Sequence, residues 1–178
     1  MNIYPEDRIF KESYIRIAGV VPESSVDGPG LRYVVFVQGC CHLCDGCHNP
    51  ETHDFYAGKV TDLWTHVLEL RSNKLLRGLT LSGGEPFLQP RPLALLAAEA
   101  KRLGHDVICY SGYTYEKLRQ ASDLGQNVGE LLREIDILID GPYIASLKDS
   151  SLSFRGSSNQ RILKIKDGYM TDCLEELI

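Results

Sequence analysis

The run "LRYVVFVQGCCHLCDGCHNP", Leu31 to Pro50, decides the fold, because a strand-forming stretch passes without a break into a dense set of metal-ligating side chains. Its first part, "LRYVVFVQ" (31–38), is β-branched and aromatic, the composition of a strand. Its second part packs four cysteines and two histidines into the nine positions from Cys40 to His48. The cysteines thus follow the C-terminal end of a strand. Cys40, Cys44 and Cys47 form CxxxCxxC, with Cys41, His42 and His48 as extras. Three thiolates at that spacing can converge, and two kinds of centre fit them. A structural zinc takes four ligands, and with Cys109 and Cys173 isolated the fourth would be His42 or His48. A 4Fe-4S cluster normally takes four cysteines, and with three it keeps one iron open to bind and reduce a small molecule. A ligand set that includes Cys41 ranks lower, since adjacent side chains diverge.

Downstream, a loop broken by Pro50 and Gly58 leads to "TDLWTHVLELRS", where Leu63, Val67 and Leu70 recur at helical spacing behind Thr61 or Asp62 as N-cap. "GLTLSGGEP" alternates up to a double glycine and reads as a strand ending in a tight turn. "RPLALLAAEAKRLG" is an Ala/Leu-rich helix closed by Gly104, and "HDVICYSG" is the next strand. "TYEKLRQASD" and "VGELLREI" read as helices, "DILIDG" as a buried strand and "RILKI" as a last short one. This alternation predicts parallel βαβ units. In such folds ligands gather at the C-terminal strand ends, where the cysteines, "SGGEP", "YSGY" and "DGPY" all fall. A closed eightfold barrel takes about 250 residues, and this chain has 178. The expected fold class is α/β, a partial (open) parallel β/α barrel in a single domain over residues 1–178. Its side gap would suit a substrate that is another protein's loop.

Composition narrows the function classes. Hydrophobic content of 43% and charged content of 24% are those of a globular protein. A chain of this size buries roughly 70% of its unfolded surface. A formal charge of -5 supplies no sequence-wide basic field for gripping nucleic acid. The first residues, "MNIYPEDRIFKESY", carry charges where a signal peptide needs an apolar run, and no stretch approaches the ~18 apolar residues of a membrane span. The expectation is a cytoplasmic protein with no nucleic-acid and no membrane partner. In that reducing compartment six cysteines read as ligands or spare thiols rather than a disulfide framework.

CxxxCxxC after a first strand, followed by "SGGEP", resembles the radical S-adenosylmethionine (SAM) superfamily. The resemblance implies that Cys40, Cys44 and Cys47 hold a 4Fe-4S cluster, that the amino and carboxylate groups of S-adenosyl-L-methionine take the fourth iron, and that Cys41 is a free thiol. It assigns the methionyl amine to Gly84 first, with Ser82, Gly83 and Glu85 beside it. Taken alone, that segment is an ordinary strand, turn and helix start, and Ser82 does not sit in the G-x-S-x-G of a serine hydrolase. Many superfamily members place an aromatic residue before the third cysteine. Gly46 stands there instead, so the adenine contact falls to the backbone around Gly46, Cys47 and His48. "CYSGY" adds Ser111 and Tyr113. "IDGPY" adds Asp140, a carboxylate poorly placed for packing, in a region that touches the cofactor's ribose or carboxylate in related enzymes. Some relatives carry a lysine two residues after that acid, where this chain departs with Pro142. Tyr113 and Tyr143 read as partly buried side chains.

"CHNPET" resembles the same stretch in glycyl-radical activating enzymes. Within that group, "SVDGPGLRYVVFVQGC", "SGYTYEKL", "LIDGPY" and "FRGSSNQRI" resemble the activases whose protein substrate is anaerobic ribonucleoside-triphosphate reductase, although "RGSSNQR" is physically a polar segment of the solvated-turn kind. The implied chemistry is one-electron cleavage of S-adenosylmethionine to methionine and a 5′-deoxyadenosyl radical, which takes a hydrogen atom from a glycine Cα of the reductase. Reduced flavodoxin or a similar donor is implied as the electron source. Such chemistry needs no general base, and no acid-base dyad stands in these motifs. The competing readings are an activase of a different glycyl-radical enzyme, a zinc-stabilised binding module and a simple electron-transfer iron-sulfur protein.

Overall fold

The strand expected at 31–38 is β2 (Arg32–Val37), almost wholly buried at the centre of an eight-stranded sheet. It belongs to a computed structural model that describes residues 7–177. The other elements, in chain order, are α1 (Arg8–Lys11), β1 (Tyr14–Ser24), β3 (Lys59–Asp62), α2 (Leu63–Ser72), β4 (Gly78–Gly83), α3 (Pro90–Arg102) and β5 (Asp106–Tyr110). They continue with α4 (Tyr115–Asp123), α5 (Val128–Glu134), β6 (Ile137–Asp140), β7 (Arg161–Lys166) and β8 (Tyr169–Leu174). In space the strands run β3-β1-β2-β4-β5-β6-β7-β8. The four central strands β2, β4, β5 and β6 pair in parallel, with helices in each crossover. The sheet does not close, so the open α/β architecture is the one expected.

Both edges depart from the expectation. β1 and β3 add on one side and β7 and β8 on the other, all antiparallel. β1 carries Gly19 and Pro22 and a mixed burial pattern, so it lacks the regular alternation that marks a strand in sequence. The segment from Gly141 to Gln160 contains no α-helix, so no crossover carries the chain back, and β7 returns antiparallel on the edge of β6. Most of the charged N-terminal run lies within the described residues, but its first six positions do not. No helix among the described residues is long and apolar enough to cross a membrane.

Alternation along the strands gives the sheet two faces. Tyr33, Val35 and Val37 of β2, Leu79 and Leu81 of β4, and Val107 and Cys109 of β5 share one core with the apolar faces of α2, α3, α4 and α5. Each fully buried Leu or Val there contributes about 1.5–3 kcal/mol of transfer free energy. Asp62 fixes the start of α2 by accepting the Thr65 N–H at 2.9 Å, and Pro90 occupies the first turn of α3.

The intervening residues point to the opposite face, where Ile108, Ile139 and Ile162 form a much smaller cluster against Tyr110 and Phe154. Beside it lies Arg32, fully buried, ion-paired to Asp106 and donating to Thr80 Oγ1 (2.6 Å) and Leu79 O (2.8 Å). Gly78 is required here, because a Cβ would meet both Asp106 and the Arg32 guanidinium. Loops rather than helices lie over this face: Gly28 rests on Arg32 and Ile108, and Phe154 packs onto the isoleucines.

Candidate functional site

At the C-terminal ends of the parallel strands is a cavity of about 430 Å³. Cys40, Cys44 and Cys47 line it, as do Ser82, Gly83 and Gly84 from the end of β4, Ser111 after β5 and His48. The turn after β4 and the cysteine loop are joined by main chain: Gly84 N–H donates to Val37 O (2.8 Å) and Glu85 N–H to Gly39 O (2.9 Å).

The cysteine loop is pinned at both ends. Gly39 N–H donates to Thr52 O at 2.8 Å, and the Gln38 amide reaches Glu51 O and Asp54 O at 2.9 and 2.7 Å. Within it, Cys47 N–H donates to Cys44 O, and Gly46 takes the left-handed φ of 69° that this turn needs. Asn49 N–H donates to Cys47 Sγ at 3.4 Å. Burial pushes the Cys40 thiol upward, so it stays protonated until a cation displaces the proton. Cys41 is exposed, outside the cavity lining, with its sulfur 3.0 Å from Tyr113 Oη. Among the described residues no three His, Cys, Asp or Glu gather closely enough to share a single metal ion. A cube makes a different demand, since each thiolate takes its own iron, and three sulfurs facing one cavity suit that donor set.

Several candidate residues have other duties than those expected. Gly83 and Gly84 do face the cavity, yet their lack of a Cβ is already required by main chain: a Cβ on Gly84 would stand 2.3 Å from Gly39 O, and one on Gly83 2.6 Å from Val37 N. Glu85 is buried outside the lining and binds neighbours rather than space. Its carboxylate accepts Ser111 Oγ–H (3.0 Å), Gly112 N–H (2.9 Å) and Phe87 N–H (3.0 Å), and lies 2.7 Å from His42 Nε2. It therefore ties the cysteine loop, the β4 turn and the β5 loop together. Asp140 is also buried and outside the lining, because Arg161 clamps both its oxygens and Tyr115 N–H donates to it at 2.7 Å. The strand-end carboxylate was expected to be unsuited to packing, and an arginine on the antiparallel β7 overturns that. Gly46 lies outside the lining too, against Tyr143 and Ala145.

Phe36, Tyr110, Phe154 and Arg155 line the cavity without having been expected there. The first two were readable: once Val35 and Val37 face the helices, period two puts Phe36 on the other side. Arg155 opens the segment taken for a solvated turn, and Phe154 immediately precedes it.

An open α/β sheet with a parallel core, and three cysteines and a glycine turn lining one cavity at its strand ends, is an arrangement suited to an iron-sulfur protein. The family of 4Fe-4S single cluster domains matches residues 26–163. Anaerobic ribonucleoside-triphosphate reductase-activating protein of Pasteurella multocida is 40% identical over 152 residues, covering 80% of this chain and 93% of the relative. Proteins of the same name from Enterobacteria phage T4 and Escherichia coli K12 are each 35% identical, covering 84% and 78% of this chain and 94% and 92% of the relatives. The chain belongs to this family of radical SAM activating proteins. A zinc-stabilised module finds no support in a match of this kind.

Proposed function

We propose that the chain, acting as a single domain over 1–178, installs the glycyl radical of anaerobic ribonucleoside-triphosphate reductase, with Cys40, Cys44 and Cys47 as the ligands of its 4Fe-4S cluster and S-adenosylmethionine as cofactor. The observation that carries this reading is convergence: three thiols, the Ser82-Gly83-Gly84 turn and Ser111 line one cavity in a chain 40% identical to a protein bearing that activator's name. Cys40, Cys44 and Cys47 would hold the cluster, which when bound and reduced would supply the electron for reductive cleavage of S-adenosylmethionine and so the radical chemistry that abstracts a hydrogen atom from a glycine Cα. The residues of this chain bind, orient and exclude water. Ser82, Gly83 and Gly84 of the β4 turn line the cavity, and their main-chain carbonyls are acceptors of the kind an ammonium takes. Phe36, Tyr110 and Phe154 give the cavity apolar wall that keeps water from a reactive intermediate. Glu85 holds Ser111 and the cysteine loop at fixed separation through its buried hydrogen bonds. The unclosed sheet leaves a flank through which a polypeptide loop reaches the cavity. Reduced flavodoxin or a similar one-electron donor supplies the reducing equivalent.

The test is anaerobic reconstitution with iron and sulfide, reduction, and assay of 5′-deoxyadenosine after adding S-adenosylmethionine, repeated with the reductase and read by electron paramagnetic resonance. A brown protein that forms 5′-deoxyadenosine and a glycyl radical on the reductase is expected. A colourless zinc protein, or a brown one that leaves S-adenosylmethionine intact, would sink the reading. Cleavage without a radical on the reductase would move the activity to another glycyl-radical enzyme.

A further inference from the structure

Among the described residues that line the cavity, Arg155 is the one lysine or arginine. The wall that carries it is built rather than loose. Gln160 Oε1 accepts Gly156 N–H (2.8 Å) and Ser157 N–H (3.2 Å), and its amide donates to Gly141 O at 3.2 Å. Gly156 passes so close to Tyr143 that a Cβ would stand 3.0 Å from the ring, and Tyr143 in turn packs on His48 with ring centroids 5.1 Å apart. Phe154 is held at φ 61°, a left-handed conformation rare for an aromatic residue and tolerated where the surroundings over-determine it.

The guanidinium itself is incompletely matched. Nη2 donates to Glu175 O at 2.8 Å and Nη1 to Gln160 O at 3.4 Å, both uncharged carbonyls. Nε is buried with no partner. Arg71 and Arg161, by contrast, each meet a buried carboxylate. No described residue forms an ion pair with Arg155. A guanidinium in the wall of a ligand-sized cavity, with one N–H unmade and the others met only by neutral carbonyls, fits a planar anion. The other cations that follow β6 lie outside the lining: Lys148 is exposed, Arg161 is committed to Asp140 and Glu116, and position 142 is proline.

We infer that Arg155 binds the carboxylate of the methionyl group of S-adenosylmethionine, an assignment that rests on the function proposed above. The test uses the reconstituted, unreduced holoprotein and calorimetric binding of S-adenosylmethionine and of its decarboxylated analogue, with cluster loading checked by visible absorption. Arg155→Met should raise the Kd for S-adenosylmethionine about tenfold or more, the scale of one charge-assisted hydrogen bond. Arg155→Lys should fall between, because it keeps the charge and loses the fork. The decarboxylated analogue should bind wild type and both variants alike. If the Met variant does not load its cluster, the Lys variant carries the test. Equal weakening for both ligands, or none for either, overturns the assignment. Intact S-adenosylmethionine binding with loss only of glycyl-radical formation also overturns it and gives Arg155 to the polypeptide substrate. Wild type that binds neither ligand overturns both this assignment and the proposed function.

Discussion

The two faces of the sheet obey different rules although they share the same strands. On the helix-covered face, Tyr33, Val35, Leu79 and Leu81 enter a continuous apolar core. On the other, Val34, Phe36, Thr80 and Ser82 alternate with them, and what they meet is Arg32 with its ion pair low in the sheet and an open cavity higher up. Free energy of folding and chemistry are thus divided across one sheet thickness, so substitutions at neighbouring positions of a single strand should have unlike consequences.

The sharpest way to break that division is at the cysteines. Cys44→Ala should abolish cluster assembly, read as loss of bound iron and visible absorption, while the metal-free protein melts within a few degrees of wild type. Cys41→Ala should keep nearly all its iron. If Cys41→Ala bleaches the protein and Cys40→Ala does not, the ligand assignment is wrong, and if metal-free Cys44→Ala unfolds, the two faces are not separable. Next in size, Leu96→Ala on the fully buried side of α3 should cost about 2–5 kcal/mol in denaturant titration of the metal-free protein. Its cysteines should still load iron when it is folded. Arg32→Ala tests the polar plug of the opposite face. About 3 kcal/mol is expected, the low end for a buried pair, because Asp106 is partly exposed and keeps Arg77 within 3.3 Å.

The smallest effect is a pH dependence built into the helix-covered face. His66 is buried beside Tyr33, with Nδ1 2.7 Å from the phenol oxygen, and burial lowers its pKa from 6.5 to about 4. Between those values the unfolded chain binds a proton that the folded chain refuses, so stability present above about pH 6.5 is lost as pH falls toward about 4. From about pH 7 to about pH 5 the loss is about 2 kcal/mol. His66→Gln should flatten that slope in paired denaturation curves, and an unchanged slope would refute the assignment.

The parallel core was legible in the sequence because its strands are short apolar runs bounded by glycines and its helices carry caps at Asp62 and Gly104, all local signals. The antiparallel edges were not, since β1, β3 and β8 owe their form to neighbours rather than to a buried alternation of their own. At the site, the cysteines, Ser82 to Gly84, His48 and Ser111 fall where their spacing and strand-end position put them. Asp140 and Glu85 do not, because the partners that claim their carboxylates come from Arg161 and from His42 with Ser111, distant in sequence and joined only by the fold. Arg155 was hidden for the same reason: a polar stretch reads as solvated until the wall that buries its Nε is known.

The contact between Gly84 and Gly39 bears on how sequence surveys of such proteins are interpreted. Side-chain volume at position 84 is forbidden by a neighbouring carbonyl before any small molecule enters the cavity. A glycine kept there through divergence therefore reports crowding of two polypeptide backbones, and persistence at that position is by itself no measure of selection for a cofactor.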